Sequence, residues 1–455
     1  MTPFEYLKRT EKKRMDELFQ LLRFPSVSAK SEHKKDMKEC AAWLRHHFKA
    51  LGFKSRVCPT GGHPVVYAEY ISDMRLPTIL YYGHYDVQPP EPLNLWTSGP
   101  FEPEIRSGYI FARGVADDKG QTFCHIKGLE AVLRATGTLP VNVKMLIEGE
   151  EEVASENLPP FISKNKNMLR ADVAVVSDTA QFGKDYPAVT FGLRGLAFVE
   201  IVVHGPDRDV HSGTFGGAIA NPINVLSSMI AKLHDKDGKV AVPGFYKDVK
   251  PISKWEKAQF KKLPYNEAAY KKVLGVSALQ GEKGYSTYER TWSRPTCDIN
   301  GITGGYQGEG GKTIIPSMAS CKITCRLVAD QHPADICNKL ERYLRKIAPK
   351  SVRLQVIKYG GASAVVVPTN GPWLDAAARA IKAGFGKNPV FMKEGGSIPI
   401  VADFKRILGI NTVLIGFAQS DDNVHSPNER LRVTDFERGC KAAAALPAEL
   451  AKVKV

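Results

Sequence analysis

The first fifty residues carry apolar side chains at helical spacing. Residues three or four positions apart share one face of a helix, so this spacing predicts two amphipathic helices. Gly52 follows the second series, at a position where a glycine commonly ends a helix. The two series are Leu7, Met15, Leu18 and Leu22, followed by Met37, Cys40, Leu44 and Phe48.

Short apolar runs then alternate with helical stretches, among them Gln121–Ala135 and Trp373–Phe385. Buried strands that alternate with helices are typical of α/β proteins. The pattern therefore predicts a mixed, largely parallel sheet flanked by helices. The predicted strands are Val65–Tyr70, Thr78–Tyr82, Val143–Ile147, Val173–Ser177 and Thr412–Gly416.

The middle of the chain has a different pattern, which is typical of an α+β unit. The lysine- and tyrosine-rich stretch 244–290 fits neither pattern and is interpreted as an insertion. Because 455 residues exceed one ordinary core, we predict a discontinuous α/β domain, residues 1–195 and 377–455, with an α+β domain, residues 196–376, inserted into it. The predicted elements of the inserted domain are strands Leu196–Val203, Thr296–Ile302, Cys321–Val328 and Val352–Tyr359 and helices Ile219–Leu233 and Pro333–Ile347.

The composition argues against nucleic-acid-binding, membrane-spanning and secreted proteins. The formal net charge is +15, but the basic residues are spread along the chain without interleaved aromatic residues. This favours a solvated surface over a nucleic-acid interface, although a functional basic face stays open. The chain lacks a run of about 18 apolar residues, which argues against a membrane span. The charged segment Met1–Lys13 and eight scattered cysteines lead us to expect a reduced, cytoplasmic protein.

Polar residues follow four of the predicted strands, in Gly83–Asp86, Glu148–Glu152, Asp178 and His425, and a fifth group, Arg113–Gly120, precedes a predicted helix. Open α/β sheets bind ligands beyond the carboxyl ends of their strands, so these side chains are expected to converge. A single cluster of this kind is usually a solvated turn, but five together favour a functional site. Two histidines and three carboxylates suit zinc, and a shared carboxylate lets two ions lie about 3.5–4 Å apart.

The glycine-rich stretch Gly301–Gly311 is not a phosphate-binding loop of the Walker type. It lacks the Gly-Lys-Ser/Thr ending at Walker spacing and does not open a predicted helix. It is interpreted as a mobile loop that precedes Thr313.

Eight motifs, in family order, resemble the aminoacylase/carnosinase family of dinuclear zinc peptidases. They span nearly the whole chain, and EGGSIP and KTIIP are most similar to the carnosinase-like dipeptidase branch. The resemblance implies two zinc ions per subunit, with manganese or cobalt possible, and a homodimer formed through the inserted dimerisation and lid domain. The motifs are GHYDVQP (83–89), RGVADDKG (113–120), EGEEE (148–152), VVSDT (175–179), DVHSG (209–213), KTIIP (312–316), EGGSIPI (394–400) and NVHSPNE (423–429).

The resemblance also implies a role for each metal ligand. Asp117 would bridge the two ions. His84 and Asp178 would complete one site, and Glu152 and His425 would complete the other. Several divalent ions suit this ligand set.

The three consecutive glutamates of EGEEE leave the register of the base and the ligand open. Alignment of Glu148 with the first glutamate of the family pattern makes Glu151 the general base and Glu152 a ligand. A shift by one residue would give these roles to Glu150 and Glu151.

Two further residues have implied roles near the reacting groups. Asp86, two residues after His84, would orient the imidazole; its alternative is a turn residue. His211 would reach across the dimer to the carbonyl oxygen of the substrate and stabilise the oxyanion.

Arg326 lies in an apolar predicted strand, where a buried charge needs an anionic partner. A substrate carboxylate would satisfy this need, and an internal salt bridge is the alternative. The resemblance implies that Thr313, Gly396 and Ser397 line the substrate pocket.

These observations predict a metal-dependent hydrolase that cleaves the amide bond of dipeptides, or of other small peptides with a free carboxylate. The runner-up is an N-acyl-amino-acid amidohydrolase with the same metal site. Asp178 favours the peptidase, because the resemblance implies glutamate there in deacylases. A binding or scaffold protein on the same fold is the alternative from another class. No nucleic-acid or membrane partner is expected.

Overall fold

The computed structural model describes residues 1–369 and 371–454. The chain folds into two compact units. Unit 1 comprises Met1–Phe191, Val367–Met392 and Pro399–Val455, and unit 2 comprises Gly192–Val366 and Lys393–Ile398. The predicted domain limits at 195/196 and 376/377 stay predictions, because compactness does not show that a unit folds or acts by itself.

The helices begin and end at local sequence signals. Thr2 and Glu5 form a capping box at the first helix, and Gly137, with a φ of 80°, ends the fourth. The α-helices are α1 Pro3–Arg9, α2 Glu11–Leu22, α3 Lys34–Ala50, α4 Lys119–Thr136, α5 Leu158–Lys164, α6 Lys166–Leu169, α7 Ser212–Phe215, α8 Pro222–Ala231, α9 Lys254–Lys262, α10 Glu267–Leu274, α11 Pro333–Ile347, α12 Pro372–Phe385, α13 Pro399–Asp403 and α14 Val433–Leu450.

The strands of the two units differ in length and in burial. Those at the centre of unit 1 are short and buried, whereas the long strands of unit 2 alternate between buried and more exposed positions. The strands are β1 Lys54–Cys58, β2 Val65–Tyr70, β3 Thr78–His84, β4 Glu104–Arg106, β5 Tyr109–Phe111, β6 Asn142–Glu148, β7 Val173–Val176, β8 Ala180–Gln181, β9 Ala188–Leu193, β10 Gly195–His204, β11 Val210–His211, β12 Asp298–Gly304, β13 Ile314–Ile315, β14 Met318–Leu327, β15 Arg353–Ala362, β16 Val365–Val366, β17 Val390–Glu394, β18 Asn411–Leu414, β19 Ala418–Gln419 and β20 Arg430–Arg432.

The main sheet of unit 1 contains the run β1-β2-β6-β3-β7-β18-β9. Strand β3 pairs in parallel with β6 and β7, and β7 pairs in parallel with β18. The pairs β1–β2, β2–β6 and β18–β9 are antiparallel. Every residue of β6 and β7 is buried, as expected for central parallel strands covered on both faces. The mixed, largely parallel sheet flanked by helices is confirmed.

Unit 2 contains an antiparallel sheet in the order β12-β14-β10-β15. Its buried face packs with helices α8 and α11 through residues such as Ile201, Leu226, Ile323 and Leu340. The alternating burial along β14 is the period of two expected of a half-buried strand. The predicted α+β pattern is therefore present in this part of the chain.

Two local predictions need correction, and one stretch without predicted elements contains helices. The first fifty residues form three α-helices, because the helical series splits at Thr10, whose hydroxyl donates to the Tyr6 carbonyl at the end of α1. Residues 301–304 of the glycine-rich stretch belong to β12, where they pair with β14. The stretch 244–290 contains helices α9 and α10.

Two further features concern the cysteines and the apolar character of the helices. All eight cysteines are buried and free. Among the described residues, no helix combines the length and the apolar character that crossing a bilayer requires.

Candidate metal centre

The parallel strands of unit 1 carry polar side chains to one edge of the sheet. His84 is the last residue of β3, Glu148 is the last residue of β6, and Asp178 lies two residues beyond β7. Asp117 lies two residues before α4. Because the carboxyl ends of parallel strands meet at the same edge, the sheet topology explains why residues far apart in sequence converge.

Five predicted ligands form two groups that share Asp117. The Nε2 atom of His84 lies 3.0 Å from Asp117 Oδ1, and Asp178 completes this group. The Nε2 atom of His425 lies 2.9 Å from Asp117 Oδ2 and 3.2 Å from Glu152 Oε2. Within each group, the potential ligand atoms lie within 4.8 Å of one another. The two oxygens of one carboxylate thus face two different ligand groups.

The chemistry of these groups fits a pair of divalent cations. Each group offers one imidazole nitrogen and carboxylate oxygens, which are donors that zinc accepts. The crowded carboxylates repel one another: burial, aided by the charges of Asp117 and Glu151, raises the pKa of Asp178 well above its usual value. Cations between the carboxylates would offset this repulsion. The residues present therefore fit a dinuclear centre.

Glu150 and Glu151 have contrasting surroundings. The Glu150 carboxylate accepts hydrogen bonds from Asn157 Nδ2, at 3.1 and 2.9 Å, and from the His63 backbone N–H, at 3.0 Å. Within the described residues, the Glu151 carboxylate has no hydrogen-bond donor. Burial raises the pKa of Glu151 to about 7, and the charges of Glu152 and Asp117 contribute. Of the two glutamates, Glu151 thus has the carboxylate that no described donor holds and that has a raised pKa.

The Asp86 carboxylate holds the backbone of the glutamate turn. Its two oxygens accept the N–H groups of Glu151, at 3.2 Å, and Glu152, at 3.1 Å. The His84 Nδ1 atom lies 3.0 Å from the Asp86 backbone carbonyl and 3.5 Å from the Asp86 carboxylate. The His84 imidazole is thus oriented mainly by the backbone carbonyl of Asp86. The Asp86 side chain instead connects this segment to the backbone of Glu151 and Glu152.

Two residues to which the sequence analysis gave no role contact the proposed metal ligands. Gln88 Nε2 donates to Glu152 Oε2 at 2.8 Å, which orients that carboxylate. The buried Glu429 carboxylate accepts from Arg113 Nη1 at 2.8 Å and from the backbone N–H groups of Gly114, Ala116 and Asp117, at 3.0, 2.9 and 3.1 Å. Glu429 thereby fixes the loop that presents Asp117. Both residues lie in motifs noted above, but spacing alone gave them no role.

The His425 loop has a strained backbone. Asn423, His425 and Asn428 have φ angles of 56°, 62° and 58°, in the left-handed region that is unfavourable for residues other than glycine. The Asn428 side chain accepts from the Thr97 N–H at 2.9 Å and donates to the Leu95 carbonyl at 2.7 Å. These bonds hold the loop in the conformation that points His425 at Asp117.

His211 and Thr313 lie in adjoining segments of unit 2. Strand β11 pairs with β13, and the Ser212 N–H donates to the Thr313 carbonyl at 3.0 Å. The Nδ1 atom of the exposed His211 ring accepts the Gly213 N–H at 3.0 Å. This bond assigns the proton of the neutral ring to Nε2, which can then donate to an oxyanion.

Arg326 and Ser397 also lie together in unit 2. Arg326 Nη1 donates to Ser397 Oγ at 3.3 Å. Among the described residues, no carboxylate lies within 4.0 Å of the Arg326 guanidinium, so the internal salt bridge considered for it is absent. The space beside the Gly396 Cα is open, which is compatible with a pocket wall.

A further group of potential ligands in unit 1 already holds a cation of the protein. Glu17, His47 and Glu130 surround the ammonium of the buried Lys127. Lys127 Nζ contacts Glu17, and lies 2.9 Å from His47 Nε2 and 2.6 Å from Glu130 Oε2. This cluster is a buried ion-pair network that joins α2, α3 and α4.

Residues 80–449 match the model of peptidase family M20/M25/M40. Among curated proteins, the chain is similar to the Cys-Gly metallodipeptidase DUG1 of Saccharomyces cerevisiae, with 32% identity over 84% of this chain and 81% of the relative. It is also similar to the Beta-Ala-His dipeptidase of Homo sapiens, with 31% identity over 86% of this chain and 78% of the relative.

Two solved structures share the fold over nearly the whole chain. The M20 family metallo-carboxypeptidase Sso-CP2 from Sulfolobus solfataricus has a TM-score of 0.87 and 32% identity, covering 97% of this chain and 99% of the other. The dipeptidase Dug1p from Saccharomyces cerevisiae has a TM-score of 0.83 and 27% identity, covering 99% and 98%.

Proposed function

Because the chain belongs to peptidase family M20/M25/M40 and is a metal-dependent hydrolase of dipeptides, we propose that its two ligand groups hold two zinc ions bridged by Asp117. His84 and Asp178 complete one site, and Glu152 and His425 complete the other. The observation that carries this proposal is the Asp117 carboxylate, whose two oxygens lie 3.0 and 2.9 Å from the two histidines.

Two divalent cations bound there would polarise the scissile carbonyl and acidify a water molecule. Glu151 takes the proton of the attacking water and passes it to the amine nitrogen as the C–N bond breaks. The products are a carboxylic acid and an amine. The raised pKa of Glu151, about 7, suits a group that must both accept and release a proton.

We propose that His211 stabilises the negative charge that develops on the carbonyl oxygen. Its Nδ1 accepts a backbone N–H, so the neutral ring presents Nε2–H as a donor. We further propose that this histidine comes from the other subunit of a homodimer formed through unit 2. Its exposure in the single chain supports a role toward a partner.

The proposed substrates are dipeptides, and other small peptides, with a free carboxylate. Arg326 binds this carboxylate, and Thr313, Gly396 and Ser397 line the pocket. The yeast relative is named a Cys-Gly metallodipeptidase and the human relative a Beta-Ala-His dipeptidase. These names support a dipeptidase over an N-acyl-amino-acid amidohydrolase.

Turnover of a dipeptide and of an N-acetyl amino acid distinguishes the two activities. We expect the zinc-loaded enzyme to hydrolyse alanyl-glycine faster than N-acetyl-alanine. Preference for N-acetyl-alanine would contradict the dipeptidase proposal. The same assay on metal-stripped protein reloaded with zinc, manganese or cobalt identifies the ion that supports the highest turnover.

We also propose that the protein acts in the cytoplasm, where eight buried free cysteines are compatible with a reducing environment. Fractionation of the native cells tests this location. Recovery of the protein outside the cytoplasm would contradict it.

A further inference from the structure

Unit 2 places a second guanidinium beside Arg326. Arg194 lies one residue before β10, and Arg326 on β14 pairs in register with Leu196 on β10. Ser397 connects the two arginines: its Oγ accepts from Arg326 Nη1 at 3.3 Å and donates to the Arg194 carbonyl at 2.5 Å. Both arginines therefore border the same serine.

Neither arginine forms an ion pair in the described part of the chain. Among the described residues, no carboxylate lies within 4.0 Å of Arg194 or Arg326. Arg194 Nε donates to the Gly395 carbonyl at 3.3 Å, but its Nη1 is buried without a hydrogen-bond partner. A buried charged donor without a partner is unfavourable and rare, which points to a missing anionic ligand.

The electrostatics agree with this geometry. Burial, aided by the charge of Arg326 and opposed by that of Asp298, lowers the pKa of Arg194 to about 10. Arginine nevertheless stays protonated at neutral pH. The two positive charges thus lie close enough to repel each other, and an anion between them would offset their repulsion.

We propose that Arg194 and Arg326 together bind the carboxylate of the peptide substrate, so that Arg194 is a second specificity-determining residue. This inference rests on the proposed function, and it assigns Arg194 to the carboxylate site. A carboxylate has two oxygens, and two planar guanidinium groups can each donate to it.

Gly395 leaves room for the Arg194 side chain. A Cβ atom at this position would lie 2.9 Å from Arg194 Nη2, closer than ordinary van der Waals contact. A larger residue would therefore displace the guanidinium. Glycine at this position thus accommodates the Arg194 guanidinium, and the Ser397 hydroxyl contacts the Arg194 main chain and the Arg326 side chain.

The test compares alanyl-glycine with alanyl-glycinamide, which lacks the carboxylate charge. We expect Arg194→Met to lower kcat/KM for the free acid by about 10- to 100-fold, mainly through KM, as loss of a charge-assisted hydrogen bond predicts. The rate on the amide should change by less than roughly threefold. Arg194→Lys should retain part of the preference for the acid, because it keeps the charge but not the planar fork.

Arg208→Met, which removes an exposed arginine of unit 2, serves as the matched control and should change neither rate. Metal content and Tm show whether each variant is folded. An equal loss on acid and amide by folded Arg194→Met would mean a structural role. An unchanged preference for the acid would exclude contact with the carboxylate. Either result overturns the inference.

A binding measurement separates this inference from the proposed reaction. Calorimetric titration of the Glu151→Gln protein with alanyl-glycine and its amide reports recognition without turnover. We expect tighter binding of the acid, and loss of that difference in the Glu151→Gln/Arg194→Met protein. Absence of wild-type turnover would contradict the hydrolase, whereas equal binding of acid and amide by Glu151→Gln would contradict the arginine pair.

Discussion

At the scale of single residues, the adjacent glutamates 150 and 151 have opposite environments. The buried Glu150 carboxylate is held by Asn157 and His63, whereas the partly buried Glu151 carboxylate has no hydrogen-bond donor among the described residues. The sequence left both registers of EGEEE open, because residues 150 and 151 are both glutamates and have the same side-chain chemistry. The two carboxylates differ in hydrogen bonding, which supports Glu151 as the proposed base.

Replacement of Glu151 by Gln should remove the proton acceptor and lower kcat by about 10²–10⁴-fold. Metal content should stay at the wild-type level, because Glu151 belongs to neither ligand group. Glu150→Gln is the matched control and should retain kcat within about tenfold. Loss of turnover in the control with retention in Glu151→Gln would assign the base to Glu150.

Glu429 shows how a residue outside the ligand groups can position a ligand. Replacement by Gln places an amide N–H₂ where one oxygen accepts two hydrogen bonds. We expect the loop carrying Asp117 to shift and metal affinity to fall by about 10–100-fold. Competition with a chelator measures this affinity. The control Glu91→Gln, which removes an exposed ion pair, should leave the metal affinity unchanged. A wild-type metal affinity in Glu429→Gln would refute the positioning role of Glu429.

At the scale of elements, the hydrophobic pattern was sufficient for the central strands of unit 1. The predicted strand Val65–Tyr70 matches β2, and the other four predicted strands of the α/β part differ by only one or two residues at their ends. The break between α1 and α2 was not predictable, because a side-chain hydrogen bond of Thr10 creates it. Helix α10 in the stretch 244–290 also escaped prediction, since none of its residues is buried and it has no apolar core face.

The Lys127 cluster joins the N-terminal helices to α4. Lys127→Met would leave the carboxylates of Glu17 and Glu130 without their buried cation. Breaking one partner of a buried ion pair costs about 3–5 kcal/mol, so we expect a lower free energy of unfolding in urea. Lys12→Met, at an exposed pair with Asp16, should change it by less than about 1 kcal/mol. Equal stability of the two variants would mean that the cluster contributes little.

At the scale of the whole molecule, the homodimer proposal predicts complementation between two defective chains. If His211 acts across the dimer, a mixture of His211→Ala and Glu151→Gln chains contains sites with both intact groups. With random pairing, about half of the dimers are mixed and one of their two sites is complete, so about a quarter of wild-type turnover should return. Each variant refolded alone is the control. Without recovery in verified mixed dimers, His211 would act within its own chain.

The candidate metal centre could be proposed from sequence because four of its polar groups follow predicted strands and the group with Asp117 precedes a predicted helix. The five proposed ligands lie in two groups that share Asp117. What the sequence could not give was the supporting contacts. Glu429 lies 312 residues from Asp117, and only the folded chain shows that it accepts the Asp117 N–H.

Metal stoichiometry tests the bridging role of Asp117 most directly. Mass spectrometry of the purified protein, dialysed to equilibrium with zinc, should give about two ions per wild-type chain. Asp117→Ala should bind less than about one ion per chain, because both groups lose a shared ligand, while the exposed-site control Asp421→Ala should keep two. A wild-type chain that saturates at one ion, or a folded Asp117→Ala chain that still binds two, would contradict the account.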